Sequence, residues 1–333
     1  MVPLLSIIIP NYNGAVTLDL CLRAATAITD ESLELIVVDD GSTDRSVDII
    51  RRYPCKLVQL AEHAGASRAR NTGARYSRGD ILFFTDADCL LSQEALSLVR
   101  RRMSAATDNV VIGGSYTPQP YDELFFSRFQ SAFIHYSETK QALAPDYIAT
   151  HALAIKATAF RRSGGFNETM GPILEDVEFS HRLRRADIKL EMEPGLQVQH
   201  IFNYSLLDSW RNAIRKTRYW IQYSLNNQDL LTDSGTASLE LKFNVSTFYL
   251  SLVLLLISFV GHPSTLPAVV LLTSINLLLS RGLLKAFYVA NGPVSGIGSI
   301  LYYLLVYPIP IGIGSLAGLA GFMRSRYYKG SHA

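Results

Sequence analysis

Two carboxylates one residue apart close an apolar run, Ile81-Leu82-Phe83-Phe84-Thr85-Asp86-Ala87-Asp88. An Asp-x-Asp at a strand end can hold a hard divalent cation, Mg²⁺ or Mn²⁺, and leave positions on it for phosphate oxygens. Such a cation offsets charge that builds on a departing diphosphate. The pattern is common by itself. It gains weight from an earlier acid pair, Asp39-Asp40, which follows Val37-Val38 and leads into Gly41-Ser42-Thr43-Asp44. Open α/β sheets bind ligands at the carboxyl ends of their strands, where a carboxylate can accept from ribose hydroxyls or a base N–H. The same stretch also reads as a turn with a helix N-cap at Ser42 or Thr43.

Three further groups join these acids. Ala64-Gly65-Ala66-Ser67-Arg68-Ala69-Arg70-Asn71-Thr72-Gly73 lets a helix start close to a ligand, and Arg68 or Arg70 could meet phosphate; close packing of that helix on a sheet explains the small residues equally well. Glu175-Asp176 opens a helical pattern after Gly164-Gly165-Phe166. Acids suit a helix N-terminus through the macrodipole, and one of them could instead take a proton from a hydroxyl. His200 ends a strand-like run and could complete a metal site begun by Asp88, although a lone histidine is readily structural.

Elements that would position these residues follow from the apolar pattern. Leu4–Ile9, Leu35–Val38, Lys56–Leu60 and Ile81–Phe84 are short continuous runs suited to strands buried on both faces. Helical patterns at Ala15–Ala27, Thr43–Arg52, Ser67–Tyr76 and Ser92–Met103 alternate with them. The alternation predicts an α/β fold with a doubly wound, mostly parallel sheet. The opening Met-Val-Pro-Leu-Leu-Ser lacks a basic leader and reads as a buried first strand rather than a signal peptide.

Composition divides the chain between two solvents. Charged residues make up 18% of 333, below the usual quarter. The net charge of +2 gives no global field for nucleic acid, which is not expected as a partner. Three cysteines, Cys21, Cys55 and Cys89, without C-x-x-C spacing, point to reduced packed thiols. Phe243–Gly261, Pro263–Ser280 and Ala286–Met323 are uncharged stretches of membrane-spanning length, the last open to kinking or splitting at Pro308 and Pro310. Leu206–Tyr223 mixes Trp210, Tyr219, Trp220 and Tyr223 with Arg211, Arg215, Lys216 and Arg218, as a helix lying on a membrane surface would. The expected organisation is a catalytic domain over 1–205, an amphipathic helix and linker over 206–242, a transmembrane region of two to four helical segments over 243–323, and a basic tail over 324–333. Lys242, Arg281 and Lys285 share the cytoplasmic side if the first two spans form a hairpin. The basic tail also favours that side, which three simple spans would deny it. The expected location is a multi-pass membrane, with the catalytic domain on the cytoplasmic face (the inner membrane of a bacterium).

Taken in order, Ser6-Ile-Ile-Ile-Pro-Asn-Tyr-Asn-Gly14, Val37-Val-Asp-Asp-Gly-Ser-Thr-Asp44, Arg70-Asn-Thr-Gly73, Thr85-Asp-Ala-Asp88 and Gly165-Phe with Glu175-Asp176 resemble the motif series of family-2 glycosyltransferases. The resemblance implies a GT-A fold, a nucleotide-diphosphate-sugar donor (a UDP-sugar foremost) and an inverting displacement. By that likeness Pro10, Tyr12 and Asn13 border the nucleotide and Asp40 contacts its base, with Arg70 also on the donor side. Asp88 is the main metal-contacting acid, Asp86 turns toward ribose or metal, and His200 reaches the metal or diphosphate. Asp176 is the base, with Glu175 beside it near the acceptor. Arg215-Lys-Thr-Arg218-Tyr-Trp220 is loosely similar to the Gln-x-x-Arg-Trp motif of processive synthases, but the glutamine is missing. Transfer of a single sugar to a lipid-linked or membrane-proximal glycan acceptor is therefore expected. Polyprenyl-phosphate glycosyltransferases are a near variant. A nucleotidyltransferase or a non-catalytic membrane scaffold are readings from other classes.

Overall fold

Strand β1 (Leu5–Asn11) is built from Ile7, Ile8 and Ile9, all buried, so both faces of the strand are covered from its start. The computed structural model describes residues 3–28, 32–170 and 173–330; Met1 and Val2 of the first expected domain and the last three residues of the basic tail lie outside them. After β1 come α1 (Leu18–Thr26), β2 (Leu33–Asp39), α2 (Ser46–Ile50), β3 (Lys56–Gln59), α3 (Ala66–Tyr76), β4 (Ile81–Phe84), β5 (Cys89–Leu90) and α4 (Gln93–Ala105). Then follow β6 (Val110–Tyr116), α5 (Phe125–Thr139), β7 (Leu153–Lys156), α6 (Ala157–Arg162), α7 (Glu175–Arg185) and β8 (Lys189–His200). The chain ends in four long helices, α8 (Leu206–Asn227), α9 (Leu239–Phe259), α10 (Leu266–Leu301) and α11 (Pro308–Gly330).

The eight strands form one sheet in the order β3-β2-β1-β4-β7-β6-β8-β5. The first four are mutually parallel, β7 runs antiparallel to both β4 and β6, and β8 is parallel to β6. Pro10 fits in β1 because Ile8 O already accepts from Thr85 N at the end of β4; two residues on, the missing N–H faces no strand. The core under the sheet gathers Ile8, Phe84, Ile155, Phe160, Phe166 and Phe179. Each such fully buried side chain contributes about 1.5–3 kcal/mol.

Two helices begin later than the apolar pattern predicts. Gly14 O accepts from Thr17 and Leu18 N, so α1 starts only at Leu18. At α2, Asn13 Oδ1 takes the N–H groups of Thr43 and Asp44, and the Asp44 carboxylate takes that of Ser46. Those bonds make a turn of the residues expected in the first helical turn. Ser42 does not cap the helix; its hydroxyl accepts from Asn13 N.

Residues Met1–Asp122 with Glu138–Phe202 form one compact unit, and Glu123–Ser137 with Asn203–Ala333 form a second. Within the second unit, Ser205 and Asp208 form a capping box that starts α8, and the Ser238 hydroxyl accepts from Leu241 N to start α9. Leu239–Phe259 and the stretch Pro263–Ser325 are long and apolar enough to cross a membrane. Charge suggests a break at Arg281–Lys285, but α10 runs straight through those residues. The interruption comes at Gly292, at φ 71°, followed by Pro293. Exposed charges do not stop a helix; a left-handed glycine before a proline does. The chain reverses there, since Asn291 Nδ2 donates to Ser299 Oγ at 3.3 Å although eight residues separate them. Pro308 and Pro310 are accommodated by a single π turn at Tyr302–Val306. The Asn244 amide donates to the carbonyl of Tyr303 in that turn and accepts from Asn276. Gly314 and Gly318 let α11 approach the backbone of α8 at Ile214 and Arg218.

Candidate active site

The carboxyl ends of β1 and β2 are joined by Asp40 N donating to Asn11 O, which brings Tyr12 and Asp40 to one rim. Asp39 is spent internally: its oxygens accept from Asn11 Nδ2 and Ser42 N. Asn13, at φ 50°, likewise commits its side-chain oxygen to the turn at 43–44. Asp40 lies at the start of α3. Its two oxygens accept from Ala64 N and Gly65 N, each at 2.8 Å, and His63 Nδ1 stands 2.8 Å from Oδ2. The His63 ring also stacks on Tyr12, with centroids 3.8 Å apart and planes 22° from parallel.

Asp86 and Asp88 follow β4, and β5 pairs with β8 so that Cys89 stands opposite His200. This pairing, between residues far apart in sequence, sets His200 Nε2 at 3.3 Å from Asp88 Oδ2. Burial pushes the Asp88 carboxyl up, but the charge and hydrogen bond of His200 outweigh it and leave the pKa below its ordinary value. Phe202 stacks on the His200 ring at 3.9 Å and Tyr116 meets its edge at 4.7 Å. Tyr116 in turn stacks on His151, whose Nε2 is 3.3 Å from Glu138. Burial pushes the His151 imidazole down, yet Glu138, together with Asp86 and Asp176, leaves its pKa above the ordinary value.

Arg70 joins the two groups of acids. Its guanidinium donates to Asp86 Oδ1 at 2.7 Å and to Glu175 Oε1 at 2.8 Å. The arginine side chain is only 5% exposed. Arg68, exposed on the same helix, has no ion pair among the described residues. The neighbouring Asn71 holds the other side of the loop before α7: its amide donates to Phe166 O and Glu168, and its oxygen accepts from Phe166 N. Gly165 has φ +71°, and a Cβ there would fall 2.5 Å from Asn71 Oδ1. Gly73 packs α3 against the sheet, where a Cβ would meet Ile8 at 2.4 Å. Thus Arg70, Asn71 and Gly73 of this run each make a separate contact. Leu174 enters α7 at φ 76°. A non-glycine residue there costs about 1–2 kcal/mol, and it immediately precedes Glu175 and Asp176. Asp176 Oδ1 accepts from Val177 N at 2.8 Å.

Residues 6–164 match the family described as Glycosyl transferase family 2. The chain carries a family-2 glycosyltransferase domain. An uncharacterized glycosyltransferase of Haemophilus influenzae is 29% identical over 227 residues, 63% of this chain and 71% of that one. Validoxylamine A glucosyltransferase of Streptomyces hygroscopicus is 30% identical over 239 residues, which cover 60% of this chain and 56% of the relative. Among solved structures, a mannosyltransferase from Pyrobaculum calidifontis in complex with GDP-Man and Mn²⁺ superposes with a TM-score of 0.57 at 18% identity, covering 94% of this chain and 87% of that one. That likeness shows the fold, a GT-A α/β sheet domain followed by C-terminal helices.

In the first unit, Asp88, Cys89 and His200 have donor atoms within 4.8 Å of one another. Two ligand atoms each about 2.1 Å from one octahedral ion sit about 3 Å apart, close to the Asp88–His200 spacing. His200 Nδ1 is buried and lacks a hydrogen-bond partner among the described residues. Cys89 suits this set least, because a hard cation prefers oxygen to a soft sulfur; burial, then Asp88 and Asp86, also push its thiol well above the ordinary value. An oxygen and an imidazole nitrogen therefore fit a hard cation, with Asp86 two residues away in sequence. The motifs do not reveal His63, His151, Glu138 or Tyr116. His63 could have been noticed as the ring-bearing residue just before Ala64-Gly65; nothing local marks the other three.

Proposed function

We propose that the protein is a metal-dependent inverting glycosyltransferase that moves a sugar from a nucleotide-diphosphate-sugar, a UDP-sugar foremost, to a hydroxyl of a lipid-linked or membrane-proximal glycan acceptor. The observation that carries this reading is the double bridge of Arg70. One buried cation ties Asp86, beside the proposed metal pair, to Glu175, beside the proposed base. In this reading the donor-side and acceptor-side carboxylates share one centre.

In this reading Pro10, Tyr12 and Asn13 shape the nucleoside rim and Asp40 accepts from the base. Asp88 and His200 would hold Mg²⁺ or Mn²⁺, with Asp86 on the ribose or metal side. Bound there, the cation would neutralise charge on the leaving diphosphate. The GDP-Man and Mn²⁺ in the mannosyltransferase complex agree with a nucleotide sugar and a divalent cation here. Arg70 positions the acids, and Arg68 is the cation of that motif left for phosphate. Asp176 takes the acceptor hydroxyl's proton while the hydroxyl attacks the anomeric carbon opposite the diphosphate, and configuration inverts. Glu175, fixed by Arg70, borders the acceptor.

The second unit anchors the enzyme. Leu250, Leu252, Val253, Leu255, Leu256 and Phe259 of α9 are all exposed, as a lipid-facing helix requires. With α9 and the first limb of α10 as a hairpin, Lys242, Arg281 and Lys285 share the cytoplasmic side. The α8 helix then lies at the surface and the catalytic domain faces the cytoplasm.

The test is nucleotide-diphosphate release from UDP-, GDP- and dTDP-sugars by detergent-purified protein with Mn²⁺ or Mg²⁺. Release from one donor, abolished by chelator and by Asp88→Ala, is the expected result. Neither release nor metal-dependent nucleotide binding with any donor would refute the reading.

A further inference from the structure

The nucleoside rim already contains a flat ring. His63 stacks on Tyr12 at 3.8 Å and brings a ring nitrogen to 2.8 Å from Asp40 Oδ2. A plate to stack on and a carboxylate facing a ring nitrogen are what a nucleobase with an in-ring N–H requires. The imidazole satisfies both. Asp40 is only 2% exposed. Its remaining partners among the described residues are the main-chain amides of Ala64 and Gly65 at the entry to α3. The backbone of the loop is also pinned. Gly41 sits at φ +73°, and a Cβ there would fall 2.8 Å from His63 N and 2.9 Å from the carbonyl carbon of Glu62. The β2–α2 turn therefore presses on the loop's main chain. The His63 side chain, by contrast, is 52% exposed, and it is the side chain against both Tyr12 and Asp40.

We infer that the His63 imidazole is a built-in stand-in for the nucleobase: it fills the base slot while the donor is absent and swings out when the donor binds. This rests on the donor-site reading above and deepens it. Two consequences follow for the ligand. The slot accepts bases that present an in-ring N–H to Asp40, namely uracil, thymine and guanine, over adenine and cytosine. Donor affinity is also set partly by competition, because apparent affinity falls with the fraction of protein whose slot is open.

Titrating full-length detergent-purified protein with UDP, GDP, ADP and CDP by calorimetry tests the inference. His63→Ala should bind UDP about three- to tenfold more tightly than wild type. His63→Phe, which keeps a stacked ring without the ring nitrogen, should fall between them. Tyr12→Ala and Asp40→Asn should weaken binding. In protein carrying ¹³C-labelled histidine, the resonance absent from His63→Ala should move toward its free-solution position when UDP is added. Unchanged or weaker UDP binding by His63→Ala would overturn the inference while leaving the donor site intact. If wild type binds none of the four nucleotides, the donor-site reading fails and takes this one with it.

Discussion

Replacing Arg70 by methionine removes the guanidinium and keeps most of the aliphatic bulk. The arginine is 5% exposed, Glu175 13% and Asp86 30%. Breaking a buried ion pair from one side costs about 3–5 kcal/mol, because the carboxylates left behind are desolvated and unpaired. Asp86 is the most solvated of the three and is partly screened, so the lower end applies, about 3 kcal/mol. In a domain of this size that lowers Tm by about 6–12 °C. Thermal unfolding of the purified protein, followed by near-UV circular dichroism, reads the shift. Arg70→Lys keeps a point charge that reaches one acid at a time, and should fall between wild type and Arg70→Met. Adding Glu175→Gln to Arg70→Met should recover at least about 1 kcal/mol relative to the sum of the single losses, since the orphaned charge is then gone. Strict additivity, or an Arg70→Met shift below about 2 °C, would show that the bridge does not organise the site.

Asp176→Asn should reduce sugar transfer by about 10²–10⁴-fold with nucleotide binding unchanged; lost nucleotide binding would count against the base role. Gly165→Ala should cost about 1–3 kcal/mol, because it combines a left-handed φ with a Cβ 2.5 Å from Asn71 Oδ1; a neutral thermal melt would mean the loop does not need that geometry. Burial pushes the Glu34 carboxyl up, but the Arg78 amide, the Ser6 hydroxyl and the Arg78 guanidinium outweigh it, so the folded pKa is lowered. Its stabilisation is complete above the ordinary glutamate range and disappears as pH falls through the lowered folded value. Glu34→Gln should therefore melt below wild type at neutral pH, with the gap closing on acidification; a pH-independent gap would assign the effect to packing.

Much of this was legible because short-range patterns encode it. Ile7–Ile9 and Ile81–Phe84 are continuous apolar runs, and both form buried strands, the second leading directly to Asp86 and Asp88. The α2 start was misplaced because Asn13, a residue outside the helix, captures the amides of Thr43 and Asp44. In the second unit, Arg281 and Lys285 separate two uncharged stretches in the sequence, whereas the helix is interrupted by a left-handed glycine at 292. The site shows the same division. Asp40, Asp88, Asp176 and His200 could be picked out by their positions at element ends. That Arg70 faces two acids rather than open solvent depends on a contact to Glu175 across the fold. His63 was missed for a similar reason: its two partners lie on different strands' ends, and only the folded sheet brings them to one ring.

Arg70 and Asn71 are consecutive residues of one helix, yet one grips the acids and the other grips the loop from Phe166 to Glu168. The loop before α7 is therefore not an interchangeable module. A graft of residues 163–178 from a relative would meet an anchor that belongs to α3. Specificity engineering here would have to carry the helix and the loop across together, or select the two as a matched pair.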